Sequence, residues 1–128
     1  MPSRSVLFAF ILCLAAPAVA GALPTRVGAC VVTTIAAVET RLEDGATHRP
    51  ITGSGSAVRF ANGGYQVSYE TIPAIEASRT GDRVRMCFIS TPLNCPSGDN
   101  RGKIYRTTNL RTKKSWRLPD SEHSCGGA

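Results

Sequence analysis

Residues 56–69 read SAVRFANGGYQVSY, two strand-like segments that flank Asn62-Gly63. An Asn-Gly pair accepts the positive φ angles of a type I′ turn, so this stretch predicts a β-hairpin with a two-residue loop. In that register three pairs share one face: Phe60 with Tyr65, Val58 with Val67, and Ser56 with Tyr69. Arg59 and Gln66 then fall on the other face, because successive side chains of a strand alternate between its two faces.

Strand patterns also occur on both sides of this hairpin. Residues 30–42 are rich in Val, Thr and Ile and are long enough for one bent strand or two. Over residues 83–88, two Arg and a Cys alternate with Val, Met and Phe, which is the period of a half-buried strand. Residues 103–109 and 114–118 predict a second hairpin.

One short helix and two loops complete the pattern. Residues 72–78 are the helix candidate, and residues 43–55 and 92–102 predict loops. Five or six short strands with one helical turn after the third predict an all-β domain folded as a small barrel. The element order is similar to that of the oligonucleotide/oligosaccharide-binding (OB) fold, with an SH3-like barrel or a small sandwich as alternatives.

The first twenty residues have the three parts of a secretory signal peptide. Arg4 precedes an apolar run at residues 6–16, and Ala18-Val19-Ala20 supplies small residues for cleavage. The run is too short to span a bilayer, which needs about 20 residues, and no later segment approaches that length. We expect export, cleavage after Ala20, and a single mature β domain at residues 21–128, in the periplasm or outside the cell.

Cleavage would remove Cys13 and leave four cysteines: Cys30, Cys87, Cys95 and Cys125. An even number in a small exported chain predicts two disulfides. We expect Cys87–Cys95, which closes a short loop, and Cys30–Cys125, which ties the start of the domain to its tail. The alternative pairing is Cys30–Cys87 with Cys95–Cys125. No Cys-x-x-Cys spacing is present, and no metal site is expected.

The basic residues are concentrated in the second half of the chain. Of the 15 Lys and Arg residues only Arg4 lies in the predicted signal peptide, so 14 remain against nine Asp and Glu, a net charge of +5. Residues 103–117 hold six basic residues and no acidic one. Clustered Lys and Arg raise the local electrostatic potential and speed association with polyanions.

This basic hairpin is therefore the candidate binding site. We expect Arg106, Arg111 and Lys114 to contact an anion, and Tyr105 or Trp116 to stack on the ligand if its ring is exposed. The candidate ligands are an anionic envelope polymer and a lipid head group. The alternative is a solvated hairpin whose charges only keep the protein in solution, with Trp116 in the core.

The sequence favours a binding protein over an enzyme. Asp120, Ser121 and His123 crowd into a polar tail, whereas a Ser-His-Asp triad needs a rigid scaffold. Residues 53–56 read Gly-Ser-Gly-Ser and lack the Gly-Lys-Ser/Thr of a phosphate-binding loop. No signature of specific nucleic-acid binding is present, and no cofactor is expected.

Several short motifs are spread over the last third of the chain: Asn109-Leu110-Arg111-Thr112, Ser115-Trp116, Asp120-Ser121, His123 and Cys125-Gly126-Gly127. Further motifs precede them, at Gly63-Gly64-Tyr65 and Gly81-Asp82. Together they resemble a group of small exported bacterial proteins of unassigned function. The resemblance implies a bacterial, periplasmic setting and carries over no catalytic residue.

Two classes of function are compatible with these features. An anion-binding envelope module accounts for the basic C-terminal half. An inhibitor or accessory factor that binds an envelope protein accounts for a small disulfide-bonded scaffold with exposed loops such as residues 92–102. Salt dependence separates them, because counterion release makes polyanion binding fall steeply with salt.

Overall fold

The computed structural model describes residues 21–127, so the predicted signal peptide at residues 1–20 lies outside the described part of the chain. Six strands and one helix follow in chain order: β1 (Cys30–Thr40), β2 (Ser56–Phe60), β3 (Tyr65–Ser68), α1 (Pro73–Glu76), β4 (Arg83–Ser90), β5 (Ile104–Asn109) and β6 (Ser115–Pro119). No helix within residues 21–127 is long and apolar enough to cross a membrane.

The six strands form one antiparallel sheet in the order β3-β2-β1-β4-β5-β6. The sheet curls until its two edge strands approach each other, and Trp116 Nε1 on β6 donates a hydrogen bond to Gln66 Oε1 on β3 at 2.7 Å. The result is a half-barrel with one short helix and two disulfides. It confirms the predicted all-β fold class.

Helix α1 packs against β2 and β6. Pro73 occupies the start of the helix, where its fixed φ angle suits the first turn and its missing N–H leaves no donor unpaired. Ile75 is fully buried in the core, and the backbone N–H of Ile72 donates to Ser56 Oγ at 2.9 Å. The helix is therefore tied to the sheet by both apolar packing and a hydrogen bond.

The concave side of the half-barrel holds the apolar core. On β4, Val84 and Met86 point inward and are fully buried, as the alternation predicts. Phe88 on β4 and Tyr105 on β5 are directly opposite, and their rings stack with centroids 5.1 Å apart. The other core residues are Ile35, Val58, Phe60, Ile75, Trp116 and Leu118.

The first hairpin forms where predicted, but its predicted register is wrong by one residue. Arg59 rather than Phe60 pairs with Tyr65, and the loop has three residues, 61–63. Phe60 N donates to the Gly64 carbonyl at 2.9 Å, and Gly63 adopts a φ of 85°. Three-residue hairpin loops commonly end on a residue in this left-handed conformation. Gly63, which suggested a two-residue turn, is therefore the last residue of a three-residue loop.

The one-residue shift exchanges the two faces of β3. Gln66, predicted to lie on the opposite face from Val58, instead shares the inner face with Val58, its partner on β2, and is 1% exposed. Tyr65, predicted to share a face with Phe60, lies on the outer face beside Arg59. Gln66 is tolerated inside because its amide group bonds to Trp116 and Thr107.

The four cysteines form two disulfides, as predicted. The preferred pairing, Cys87–Cys95 with Cys30–Cys125, is wrong, and the alternative pairing is the one observed. The bonds are Cys30–Cys87 and Cys95–Cys125, with Cα atoms 4.0 and 5.2 Å apart. Cys30 and Cys87 are directly opposite on β1 and β4. Because β4 continues to Ser90, Cys87 is held in the sheet beside Cys30 and away from Cys95. Two disulfides indicate an oxidising, extracytoplasmic environment.

Candidate anion-binding site

Four arginines lie on the outer side of the half-barrel, on three adjacent strands. They are Arg83 and Arg85 on β4, Arg106 on β5 and Arg117 on β6, and all four are exposed. Their neighbours in each strand point inward and are buried, so strand alternation alone places the four on one side. We call this surface the arginine face.

Cross-strand pairing makes the arginine face continuous. Arg106 is directly opposite Arg117 on one side and Cys87 on the other. Arg85 precedes Cys87 by two residues and is therefore the diagonal neighbour of Arg106. Directly opposite residues have Cβ atoms about 5 Å apart and diagonal neighbours about 7–8 Å. The arginines are close enough to engage one extended ligand together.

The charges of this face are not compensated within the described chain. No acidic residue occurs in β4, β5 or β6. Among residues 21–127, none of the four arginines forms an ion pair. Like charges directly opposite on neighbouring strands, as at Arg106 and Arg117, destabilise a sheet. A bound anion would remove that repulsion.

Arg111, an expected ligand contact, is instead part of an internal ion pair. Its Nε donates to Asp82 Oδ1 at 2.7 Å, and its Nη2 donates to Asp82 Oδ2 at 2.9 Å and to the Ala77 carbonyl at 3.0 Å. The Arg111 guanidinium, helped by the Asn109 amide, holds the pKa of Asp82 well below its usual range. Arg111 therefore anchors the β5–β6 turn to the segment before β4.

Lys114, the third expected contact, lies in the turn between β5 and β6. Its carbonyl accepts a hydrogen bond from Asn109 N at 2.9 Å, and its side chain is exposed. The predicted trio therefore does not come together: Arg106 lies on the arginine face, Arg111 pairs with Asp82, and Lys114 is at the hairpin tip.

The two aromatic residues of the predicted site are in the core. Tyr105 is 3% exposed and Trp116 is 5% exposed. Burial, and then the charge of Asp120, raises the pKa of Tyr105. The condition set for stacking on a ligand, an exposed ring, is not met by either residue. Trp116 lies where the alternative interpretation of the hairpin expected it.

The expected ligand contacts leave out three residues of the arginine face: Arg83, Arg85, and Arg117, which belongs to the basic hairpin at residues 103–117. The signal for Arg83 and Arg85 was present, because they alternate with Val84 and Met86 in a strand that was predicted. The density of charge along residues 103–117 does not reveal that β4, which carries Arg83 and Arg85, pairs with β5. Only the register between β4 and β5 shows that the arginines of β4 and the basic residues of the hairpin share one surface.

The polar side chains of the tail, Asp120 and Ser121, form local hydrogen bonds. Asp120 Oδ1 accepts from the backbone N–H groups of Gly102 and Lys103 at 2.8 and 3.0 Å. Ser121 Oγ donates to the carbonyl of His123 at 2.6 Å. Within residues 21–127, no group of three or more His, Cys, Asp or Glu side chains is placed to hold a metal ion.

Comparison of this chain with family models finds no match. Searches of curated proteins and of solved structures find no match either. Its function is therefore inferred from the geometry and chemistry of its own residues.

Proposed function

We propose that this protein is an exported binding module for an anionic ligand of the cell envelope and that the arginine face binds the ligand. One observation carries the proposal. Four exposed arginines without ion-pair partners among the described residues adjoin one another on three strands that contain no acidic residue. Such an arrangement lowers the stability of the sheet and suits a ligand that brings negative charge.

The shape and chemistry of the face favour an extended anion with repeated charges. Guanidinium groups bind phosphate, sulfate and carboxylate groups through paired, charge-assisted hydrogen bonds. The four arginines stand on regular strands, so their backbone positions are fixed before binding. Both phosphorylated lipid head groups and acidic polysaccharides offer the required chemistry.

Export of the mature chain belongs to the same proposal. It is supported by the three-part signal sequence at residues 1–20, by the two disulfides, and by the resemblance to small exported bacterial proteins. We expect the protein isolated from its host to begin at Gly21, which intact-mass measurement will report. A retained N-terminus, or a lipid on Cys13, would contradict this.

Binding is tested with four single variants: Arg83→Ala, Arg85→Ala, Arg106→Ala and Arg117→Ala. Immobilised heparin serves as the sulfated polysaccharide probe. Vesicles of phosphatidylglycerol and phosphatidylcholine serve as the phospholipid probe. Each variant is expected to bind more weakly. The slope of log affinity against log salt concentration is expected to become shallower by about one unit, because each arginine that contacts an anionic group releases about one counterion from the ligand. The stronger probe identifies the source of the anion.

Arg49→Ala is the matched control, since it removes the same charge from an exposed loop on the other half of the chain. It is expected to leave the salt slope unchanged. Unchanged binding in all four arginine-face variants, with their folds intact, would show that these charges only keep the protein in solution.

A second candidate, a protein-binding inhibitor or accessory factor, is supported by the loop between β4 and β5. Leu93 in this loop is 86% exposed. The loop is fixed to the tail by Cys95–Cys125 and by Asp99, which pairs with Arg101 and accepts a hydrogen bond from Gly126 N. An exposed apolar residue on a fixed loop is suited to a protein partner. Binding that is insensitive to salt and lost in Leu93→Ala would favour this candidate.

A further inference from the structure

A groove of about 400 Å³ lies on the other half of the sheet. It is lined by residues at the end of β1, by Arg59 on β2 and Tyr65 on β3, and by Glu43 and Pro50, which are bridged as a short antiparallel pair. Its volume is within the range of small-molecule sites. It shares no residue with the arginine face.

Three side chains lie next to one another along the groove. Glu39 Oε2 accepts a hydrogen bond from Arg59 Nε at 3.3 Å. The Arg59 guanidinium lies 4.8 Å from the centre of the Tyr65 ring, which is the residue directly opposite it in the sheet. This distance is within the range of cation–π attraction. Carboxylate, guanidinium and ring are therefore adjacent along the groove.

Arg41 also lines the groove and is held by several partners. Its Nε donates to the Ser54 carbonyl at 2.7 Å, and its Nη1 donates to Glu122 Oε1 at 3.1 Å. Its guanidinium also lies 4.2 Å from the centre of the Tyr69 ring. A side chain with so many partners loses little conformational freedom on binding, which favours affinity.

The groove lining carries charges of both signs, and partners just outside it pair with two of them: Glu122 with Arg41, and His48 with Glu43. Glu39 and Glu43 are matched in number by Arg41 and Arg59, in contrast to the arginine face. A lining with equal charges does not select an ion, but it offers hydrogen-bond acceptors and donors side by side. A hydroxyl group can use both, because it donates one hydrogen bond and accepts others. The Tyr65 ring adds an apolar surface between the polar groups.

We propose that this groove binds a neutral oligosaccharide. Sugar hydroxyls donate to Glu39 and accept hydrogen bonds from Arg41 and Arg59, while the carbon–hydrogen face of a sugar ring packs against Tyr65. A saccharide fits this lining because it combines many hydroxyls, no net charge and a partly apolar ring face. This site is independent of the arginine face and does not require the proposed anion binding.

The test is calorimetric titration of the mature protein with maltotetraose, cellotetraose and chitotetraose, three neutral tetrasaccharides. At least one is expected to bind with a Kd of about 1 mM or tighter. Glu39→Gln keeps the size of the side chain but removes its charge and is expected to weaken binding about tenfold. Tyr65→Leu is expected to weaken it similarly. Thermal unfolding of each variant confirms that the fold is intact.

Two controls separate this site from the arginine face. Glu76→Gln removes a carboxylate from the exposed surface of α1, and Arg106→Ala removes an arginine from the arginine face. Both are expected to bind the tetrasaccharide as the parent protein does, and Glu39→Gln is expected to retain heparin binding. Absence of binding by all three tetrasaccharides, or binding that survives both groove variants, would overturn the proposal.

Discussion

Gln66 shows how one polar side chain can hold the two edges of the sheet together. It is buried on β3, where its Oε1 accepts from Trp116 Nε1 at 2.7 Å and its Nε2 donates to Thr107 Oγ1 at 2.8 Å. A buried polar group that loses its partner destabilises a protein by about 1–3 kcal/mol. The contact between β3 and β6 therefore depends on a specific hydrogen bond as well as on apolar packing.

Replacing Gln66 tests that dependence. Gln66→Leu is expected to lower the free energy of unfolding by about 1–3 kcal/mol, because the Trp116 N–H loses its acceptor in the core. In a Trp116→Phe background the same change is expected to destabilise less, since the donor is already absent. Urea unfolding of the four proteins gives the coupling energy. Equal losses in the two backgrounds would contradict the proposed link.

The Asp82–Arg111 pair predicts a dependence on acid. Because the pKa of Asp82 is lower in the folded than in the unfolded protein, its ionised form stabilises the fold above about pH 4, and this contribution is lost as the pH falls through the folded-state pKa. Arg111→Ala is expected to reduce stability at pH 7 and to make the further loss at acid pH smaller. Urea unfolding at pH 7 and at pH 2.5 measures both effects.

Lys114→Ala is the control for this comparison, because it removes a charge from the same turn without touching Asp82. It is expected to keep the acid dependence of the parent protein. Asp99, whose pKa is also lowered, chiefly by Arg101, contributes alike to all three proteins. An unchanged acid dependence in Arg111→Ala would show that Asp82 is held ionised by other groups.

At the scale of elements, β1 joins the two halves of the sheet. Residues 30–34 pair with β4, whereas Ile35 and residues 37–40 pair with β2, with a bulge between Ile35 and Ala37. A bulge bends its strand and increases the local twist. One long strand can therefore belong to two parts of a curled sheet, which agrees with the bent strand that the sequence allowed.

The start of β2 depends on a glycine that no other residue can replace easily. Gly55 has a φ of 119°, and an added Cβ would collide with the Ser68 carbonyl on β3. Gly55→Ala is expected to destabilise the protein by more than about 2 kcal/mol, from backbone strain and from this clash. Thermal or urea unfolding measures the loss.

Gly45→Ala is the matched substitution, since Gly45 lies in the same loop with open space around it. It is expected to change the free energy of unfolding by no more than about 0.5 kcal/mol. Similar effects of the two substitutions would show that the close approach of β2 and β3 at Gly55 is relieved by a small movement of the backbone.

At the scale of the whole molecule, the disulfides limit the unfolded chain. Cys30–Cys87 joins residues 57 apart, and Cys95–Cys125 joins residues 30 apart. Chain-entropy estimates, taken singly, are about 4 and about 3.6 kcal/mol. Replacing Cys30 and Cys87 by Ser is therefore expected to destabilise the protein at least as much as replacing the other pair.

Peptide mapping and thiol titration accompany this measurement. The mature protein is expected to contain the two bonds seen in the structure and no free thiol. A distinctly larger loss on removing Cys95–Cys125 would contradict the entropic account and indicate that contacts of the tail contribute more than the closure of the loop.

The sequence by itself determined the local features of this protein. Alternating side chains located the strands, and Asn62-Gly63 located the first hairpin. The four cysteines outside the predicted signal peptide indicated two disulfides, and the basic residues indicated a positively charged C-terminal half. The strand and hairpin patterns depend on residues near one another in the chain, and the number of cysteines and the charge are properties of composition, so all of them are visible without knowledge of the fold.

Only the tertiary structure decided which residues meet. In the folded protein the hairpin register differs by one residue from the predicted one, which places Gln66 inside. Cys30 pairs with Cys87, and Arg111 lies apart from Arg106. The tertiary structure also brought Arg85 diagonally next to Arg106, which is directly opposite Arg117. Each outcome depends on the register between strands, which is set by the packing of a shared core and by loop geometry rather than by adjacent residues.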